Sequence, residues 1–302
     1  MSARETPAIR TVGLAKRYGS HWALRDCSVS VPRGRVTALV GPNGAGKTTL
    51  LKILVGLSAP SAGAASVLGR PPGQGTEFLA SIGYLAQDVP LYNRLTTADH
   101  LEIGAHLNRA WDAAGARSRL AELGIPEDRP VSTLSGGQRA QVGLSMALAK
   151  RPRLLVLDEP VAALDPLARR EFLASLTGAV ADGDLSVIVS SHLLLDLQRV
   201  CDHIILLAAS RTQLTGDMDH VLQTHRWLLG LRRKETDIEP GIEVIKATHT
   251  ANQTRLLARL TGPVLDPGWQ ITEAGLEDIV LAYMGQDDTR TPRPLTSIRP
   301  AR

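Results

Sequence analysis

Across 302 residues, 43% are apolar but only 3% aromatic, which supports a sizeable core packed mainly by aliphatic side chains. Two cysteines far apart in sequence, Cys27 and Cys201, exclude a disulfide framework and a cysteine-based zinc site, and fit a reducing cytoplasm. The net charge of +4 resides in the C-terminal stretch "TRTPRPLTSIRPAR", which holds four arginines and no acid; the body before it has no positive excess for nucleic acid, and no nucleic-acid partner is expected.

Taken in chain order, "MSARETPAIR" has no apolar run and predicts no secretory signal. "DCSVSV" alternates, with Cys27, Val29 and Val31 on one side and Asp26, Ser28 and Ser30 on the other, and reads as a half-buried strand closed by the turn "PRG". "RVTALV" is a more continuous apolar run, and it feeds directly into "GPNGAGKTT". Leu50, Ile53, Leu54 and Leu57 then recur at helical spacing. A glycine-rich loop between a strand and a helix is the setting of a phosphate-binding motif. Gly41, Pro42, Asn43, Gly44, Ala45, Gly46, Lys47 and Thr48 fit G-x-x-x-x-G-K-[ST] without deviation. Glycines let the backbone approach a phosphate, and the helix N-terminus turns N–H groups toward it. Lys47 supplies mobile positive charge for the β- and γ-phosphates, and the Thr48 hydroxyl is placed to ligate Mg²⁺.

From about residue 88 to 150 the pattern is helical. Within it, "TLSGGQ" places Ser135 three residues before Gln138, the spacing of a capping box, ahead of the helix "QRAQVGLSMALAK". The cap accounts for Ser135 and Gln138. It does not account for Gly136 and Gly137, which weaken a helix's first turn but leave bare N–H groups suited to a second anion site. "RLLVLDEP" and "LSVIVSS" read as buried parallel strands flanking the helical "PLARREFLASLTGAV". Asp158 and His192 each follow such a strand, so both emerge at the C-terminal edge of the sheet. "HIILLAA" and "RTQLTG" form a hairpin around Ser210 and Arg211, and the former is far shorter than the roughly 20 residues that span a bilayer. Any membrane role therefore passes through another chain.

Beyond Asp217 the pattern shifts to the short strands "WLLGLRR", "IEVIKAT" and "TRLLARL", then to "GLEDIVLAYMG", with Leu276, Ile279, Val280 and Tyr283 on one helix face. This predicts a small separate α/β domain over 217–288, followed by a disordered basic tail over 289–302. His220 and His225 have a tolerable ligand spacing, but no cysteine pair completes a site, and both read as surface residues.

Together these segments resemble the ATP-binding subunit of an ABC transporter over about residues 8–216. "GPNGAGKTT" resembles its Walker A loop, "LSGGQ" its signature, "LLVLDEP" its Walker B strand, "ALD" its D-loop and "SSH" its switch segment, all in the family's order. The resemblance implies an α/β P-loop NTPase fold, in which a RecA-like parallel sheet carries an antiparallel β subdomain and a helical subdomain near 88–150. It implies ATP and Mg²⁺ as cofactors. Asp158 would hold Mg²⁺ through water, with Thr48 and Gln87, the latter resembling the Q-loop glutamine. Glu159 resembles the catalytic carboxylate that polarises water, His192 the switch residue at the γ-phosphate, and Lys47 completes the catalytic set. Tyr18, in "KRYGS", resembles the aromatic that stacks on adenine, and Thr49 belongs with the phosphate loop. Ser135, Gly136, Gly137 and Gln138 would meet the ATP of a second cassette, identical or related, and Asp165 would face that partner. The D-loop reads "AALDP", without the serine that often precedes Ala-Leu-Asp, which puts in doubt the contact that serine would make. The implied partners are that second cassette and an integral membrane permease encoded separately, with the chain cytoplasmic and peripheral on the inner face of the cell membrane. "GLEDIVLAYMG" resembles the C-terminus of export-type cassettes for drugs, antibiotics or lipids. An importer ATPase and a soluble non-transport ABC ATPase are the alternative expectations.

Overall fold

The computed structural model describes residues 6–181, 184–234 and 238–285. Strands β1 (Ile9–Tyr18) and β2 (His21–Val31) form an antiparallel hairpin. Next, β3 (Val36–Val40) leads into α1 (Lys47–Leu54), and β4 (Ala62–Val67) returns to β1, giving a three-stranded antiparallel sheet in the order β2-β1-β4. After α2 (Gly75–Ser81) and β5 (Ile82–Leu85) come three helices, α3 (Thr97–Leu107), α4 (Ala113–Glu122) and α5 (Gly136–Ala149). The chain continues through β6 (Leu154–Asp158), α6 (Pro166–Val180), β7 (Ser186–Ser191), α7 (Leu194–Leu197), β8 (His203–Ala208) and β9 (Arg211–Asp217). These complete a six-stranded sheet in the order β5-β6-β7-β3-β8-β9, parallel except for its last strand. The final part comprises α8 (Met218–Thr224), β10 (His225–Leu231), β11 (Ile242–His249), β12 (Gln253–Leu260), β13 (Gln270–Glu273) and α9 (Leu276–Met284). Its four strands form an antiparallel sheet in the order β11-β12-β10-β13.

The continuous apolar runs have a simple origin: the central strands are covered on both faces. Leu155 and Leu157 of β6, with Val187 and Val189 of β7, belong to one core together with Phe172 of α6. The intervening Leu154, Val156 and Ile188 belong to a second core with Leu50, Ile53 and Leu54 of α1 and the inward residues of the hairpin. Cys27, Val29 and Val31 of β2 are among the latter, as the alternation predicts. A third core, around Leu101, Leu120 and Val142, holds α3, α4 and α5 together.

The C-terminal segment also contributes to the large core. Ile245, Leu257, Leu276, Ile279, Val280 and Tyr283 lie in the same core as Leu197, Leu206 and Leu214. Helix α9 packs against α7, β8 and β9. The four-stranded sheet of the small domain expected after residue 216 keeps a core of its own around Leu228, Leu256, Ala258 and Trp269, while the apolar face of α9 also packs into the interior that precedes it, at the edge of the large sheet. His225 corrects the sequence reading outright: it is fully buried, with Nδ1 2.7 Å from the Val221 carbonyl and Nε2 3.0 Å from the Tyr283 hydroxyl. Both faces of β10 are covered, with Leu228 in the small C-terminal core on one side and His225 against Tyr283 on the other, and two polar partners make burial tolerable. The expected tail, 289–302, lies outside the described residues. Among the described residues, no helix is long and apolar enough to cross a membrane.

Candidate nucleotide site

The phosphate loop leaves β3 at Val40 and enters α1 at Lys47. Two glycines are required by backbone and space together. Gly41 has φ 157°, and a Cβ there would lie 2.1 Å from the Leu207 carbonyl oxygen. Gly46, the N-cap of α1, has φ 102°, and a Cβ would lie 2.3 Å from the Ala23 carbonyl oxygen. The loop is thus pressed against β8 on one side and the hairpin on the other, which fixes where the first turn of α1 points.

Lys47 is 5% exposed. Its Nζ donates to the Gly41 carbonyl at 2.9 Å and the Pro42 carbonyl at 3.3 Å, and lies 3.1 Å from Glu159 Oε1. The other carboxylate oxygen of Glu159 is 3.0 Å from His192 Nδ1. One carboxylate therefore bridges the loop lysine and the histidine after β7. Burial works against the charge on Glu159, but the hydrogen bond and charge of Lys47, with those of His192, hold the carboxyl below the usual range. Glu159 also has φ 47°, an uncommon conformation for a side-chain-bearing residue and a feature of functional sites.

Ser190 positions both acids. Its Oγ donates to Asp158 Oδ1 at 2.8 Å and accepts from the Glu159 backbone N–H at 2.8 Å. The contact follows from register, since Asp158 and Ser190 are direct partners between β6 and β7. Sequence reasoning passed over Ser190; the available signal was a hydroxyl ending a buried strand beside the acid-bearing one.

A cavity of about 620 Å³ opens over these groups, a size suited to a small-molecule ligand. Tyr18, Gln87, Glu159 and His192 line it, as do Asn43, Gly44, Gly46, Lys47, Thr48 and Thr49 of the loop and first turn. Gly41, Pro42, Ala45 and Asp158 are not in the lining; Asp158 is 1% exposed, behind it. His21, Ala23 and Ala162 also line the cavity, and no motif pointed to them.

Ser135, Gly136, Gly137 and Gln138 are absent from this lining. They form the start of α5, exposed at Ser135 and Gly136 and partly buried at Gly137 and Gln138, with the predicted capping box: Ser135 Oγ accepts from Gln138 N–H at 3.2 Å, and Gln138 Oε1 accepts from Ser135 N–H at 3.0 Å. Packing accounts for one of the two glycines left over by the cap, because a Cβ on Gly137 would lie 2.7 Å from Ala168 Cβ in α6. Gly136 has no such constraint, with its nearest contact at 3.9 Å. Asp165 caps α6, its Oδ1 accepting from the Leu167 and Ala168 N–H groups at 3.0 Å each.

Residues 24–162 match the ABC transporter family. A Nod factor export ATP-binding protein of Ralstonia nicotianae is 34% identical over 73% of this chain and 70% of its own length. A phosphonates import ATP-binding protein of Natronomonas pharaonis is 40% identical over 60% of this chain and 81% of its own. This chain belongs to the ABC transporter ATP-binding family. The cassette is also similar to a solved structure described as the ATP-binding subunit of an ABC transporter, with a TM-score of 0.64 and 29% identity over 72% of this chain and 92% of the other. The mixed α/β fold with a parallel sheet at its core is the fold of these ATPase domains.

The donor chemistry of the cassette suits Mg²⁺. Thr48, Gln87 and Asp158 offer a hydroxyl, an amide carbonyl and a carboxylate, all hard oxygen donors and too few for an all-protein cage, which matches an ion that keeps waters and phosphates as ligands. Among the described residues, no group of three histidine, cysteine or acidic side chains could hold a metal by itself.

Proposed function

We infer that this cassette is the ATP-hydrolysing subunit of an ABC transporter, closing on a second cassette around ATP and driving a separate integral membrane permease. One observation carries the reading. Lys47, Glu159 and His192 meet at the phosphate-loop cavity, whereas the signature stands at the exposed start of α5, outside it. A signature that contributes to an ATP site then does so from a partner cassette.

Phosphoryl transfer needs positioning and charge stabilisation more than covalent chemistry. Phosphate oxygens compete with Glu159 for Lys47 Nζ. Lys47 then balances the β- and γ-phosphates, and Glu159 is released to accept a proton from the attacking water. His192, held on the same carboxylate, follows it to the γ-phosphate. Mg²⁺ at Thr48, Gln87 and Asp158 would spread the phosphate charge, and Tyr18 would carry the adenine. Splitting the signature from the rest couples these steps to subunit closure, the movement a permease can use.

The cassette acts at the inner face of the cell membrane through that permease, and the direction is export. "GLEDIVLAYMG", now seen as the core-packed α9, supports this direction, as does the Nod factor export relative. The phosphonates import relative supports import as the second reading.

Two experiments test the proposal. Glu159→Gln should still bind ATP while hydrolysis falls by about 10²–10⁴, the scale for losing a general base, so an ATP-bound dimer accumulates and is visible by light scattering. Adding Ser135→Arg should remove that dimer and leave monomer binding intact; a double variant that dimerises as readily as the single one would refute the shared site. Co-purification with the permease and transport in inverted membrane vesicles settles direction: ATP-driven uptake into them means export.

A further inference from the structure

We propose that Arg169 is a positioning residue that couples two ATP sites, tying the turn beneath this chain's signature to the helix that follows His192. This rests on the two-cassette reading above. It adds the link by which ATP met at the signature sets the histidine at the chain's own phosphate-loop cavity.

Arg169 stands near the start of α6, directly after Ala168. Its two terminal nitrogens reach different elements. Nη1 lies 3.2 Å from Asp196 Oδ2 in α7, and Nη2 donates to the Leu164 carbonyl at 3.2 Å, in the stretch that precedes α6. Helix α7 follows closely on His192, and Leu197 beside Asp196 is buried in the large core, so α7 is a firm base for the segment that carries the histidine. On its other side the same turn touches the signature. A Cβ on Gly137 would meet Ala168 Cβ at 2.7 Å, and the nearest neighbour of one on Gly136 would be Leu164 Cδ2 at 3.9 Å. Leu164, Ala168 and Arg169 thus form one patch that runs from the start of α5 to α7.

Stability alone does not account for this arginine. The side chains of Arg169 and Asp196 are 23% and 29% exposed. A pair drawn this far from water gains little net stability, because desolvation offsets the attraction. Among the described residues, Arg169 Nε is buried without a hydrogen-bond partner, a cost that an aliphatic side chain would avoid. The gain is geometric: a planar guanidinium with two directed donors holds both partners in one register. In the two-cassette assembly, α5 meets the partner's ATP through the signature, and His192 meets this chain's own. A shift at the start of α5 presses on Leu164 and Ala168, and the guanidinium carries it to α7 and the histidine.

The test measures ATP turnover of the full-length chain with Mg²⁺ across a range of ATP concentrations, for Arg169→Gln, Asp196→Asn and the double variant. Each single variant should lower kcat roughly tenfold, the scale of one hydrogen bond between charged partners, with monomer ATP binding by calorimetry unchanged. The double variant should fall no further, since the two side chains act as a unit. The Hill coefficient should drop toward about 1, the value for independent sites. Asp196→Asn keeps the shape of the side chain, so it carries the test even where Arg169→Gln folds poorly. A kcat within about twofold of the parent in the single variants would overturn the proposal, as would losses that add in the double variant. A lower melting temperature with kcat and Hill coefficient unchanged would make the pair a structural clamp only, and a parent without cooperativity in ATP would equally overturn the coupling. Glu159→Gln separates this from the underlying reading: if that variant hydrolyses ATP like the parent, the ATPase site itself is misassigned, whatever Arg169 does.

Discussion

At the scale of single residues, the site is organised by one carboxylate held between two nitrogen groups. Lys47→Ala should nearly abolish ATP turnover in the purified protein, since Lys47 is the cation of the phosphate loop, and should let the Glu159 carboxyl drift up toward its ordinary range. Turnover within about twofold of the parent would contradict the role given to Lys47. Ser190→Ala removes a fully buried hydroxyl that ties Asp158 to the backbone of Glu159, and should lower stability by about 1–3 kcal/mol. It should also lower kcat more than it raises KM, a split that a purely structural serine would not give. A different residue sets the acid side of the stability profile. Burial pushes the His203 imidazole down to about 4, against an unfolded value of about 6.5. Between those values the unfolded chain binds protons that the folded chain refuses, so stability is full above about pH 6.5 and falls as pH drops toward 4. His203→Leu should flatten that fall in denaturant titrations at pH 7 and pH 5. His225, also held down to about 4 by burial, keeps part of the slope in place. The phosphate-loop residues were legible because their spacing carries their chemistry, whereas Tyr18, Gln87, Glu159 and His192 were named through the resemblance to the ABC family. Ser190 and His21 were not, since their placement depends on strand register, which no local pattern prints.

Elements show the same division. The buried central strands, the hairpin at β8–β9, helix α6 and the apolar face of α9 were readable, because each is a long run at one period. Strand β1 was hidden: Gly13 at φ 57° and several register shifts break its alternation. Strand β4, "AGAASV", has small and largely exposed residues that give no hydrophobic signal. The start of α5 turns this into a measurement. Ser135→Ala should cost about 1 kcal/mol through the lost cap. Gly137→Ala drives a methyl into Ala168 of α6 and should cost about 1–3 kcal/mol as overpacking. Gly136→Ala makes only an ordinary contact with Leu164 at 3.9 Å and should leave the melting temperature unchanged or raised. A loss of ATP turnover in Gly136→Ala with stability intact would then report on the contact between cassettes. Equal destabilisation by the two alanines would show that the space around α5 does not distinguish them.

On the scale of the whole molecule, the unforeseen feature is the shared interior. Periodicity identifies the apolar face of α9 but not what it covers, and the shift in pattern after Asp217 marks a change of architecture in which one face joins the large core and the other builds a small core around Leu228 and Trp269. Leu276, Ile279 and Val280 are each buried to 2% exposure or less. Truncation after Gly216 cuts inside β9 and strips this cover, removing several side chains whose burial contributes about 1.5–3 kcal/mol each, comparable to the net stability of a domain. The truncated chain should lose its cooperative melting transition or aggregate, although every cavity-lining residue is retained. Ile279→Ala in the intact chain should cost about 2–5 kcal/mol and lower the melting temperature without changing the ATP dissociation constant of the folded fraction. A truncated chain that melts like the parent would contradict the continuity of the core. That continuity also bears on inheritance. Recombination that exchanges the sequence after β9 between two cassettes must rejoin halves of a single interior, so viable chimeras are confined to donors whose helix complements Leu206 and Leu214. On this packing, the outward surface of the segment should tolerate exchange while the inner face of α9 should have to stay matched to β8 and β9.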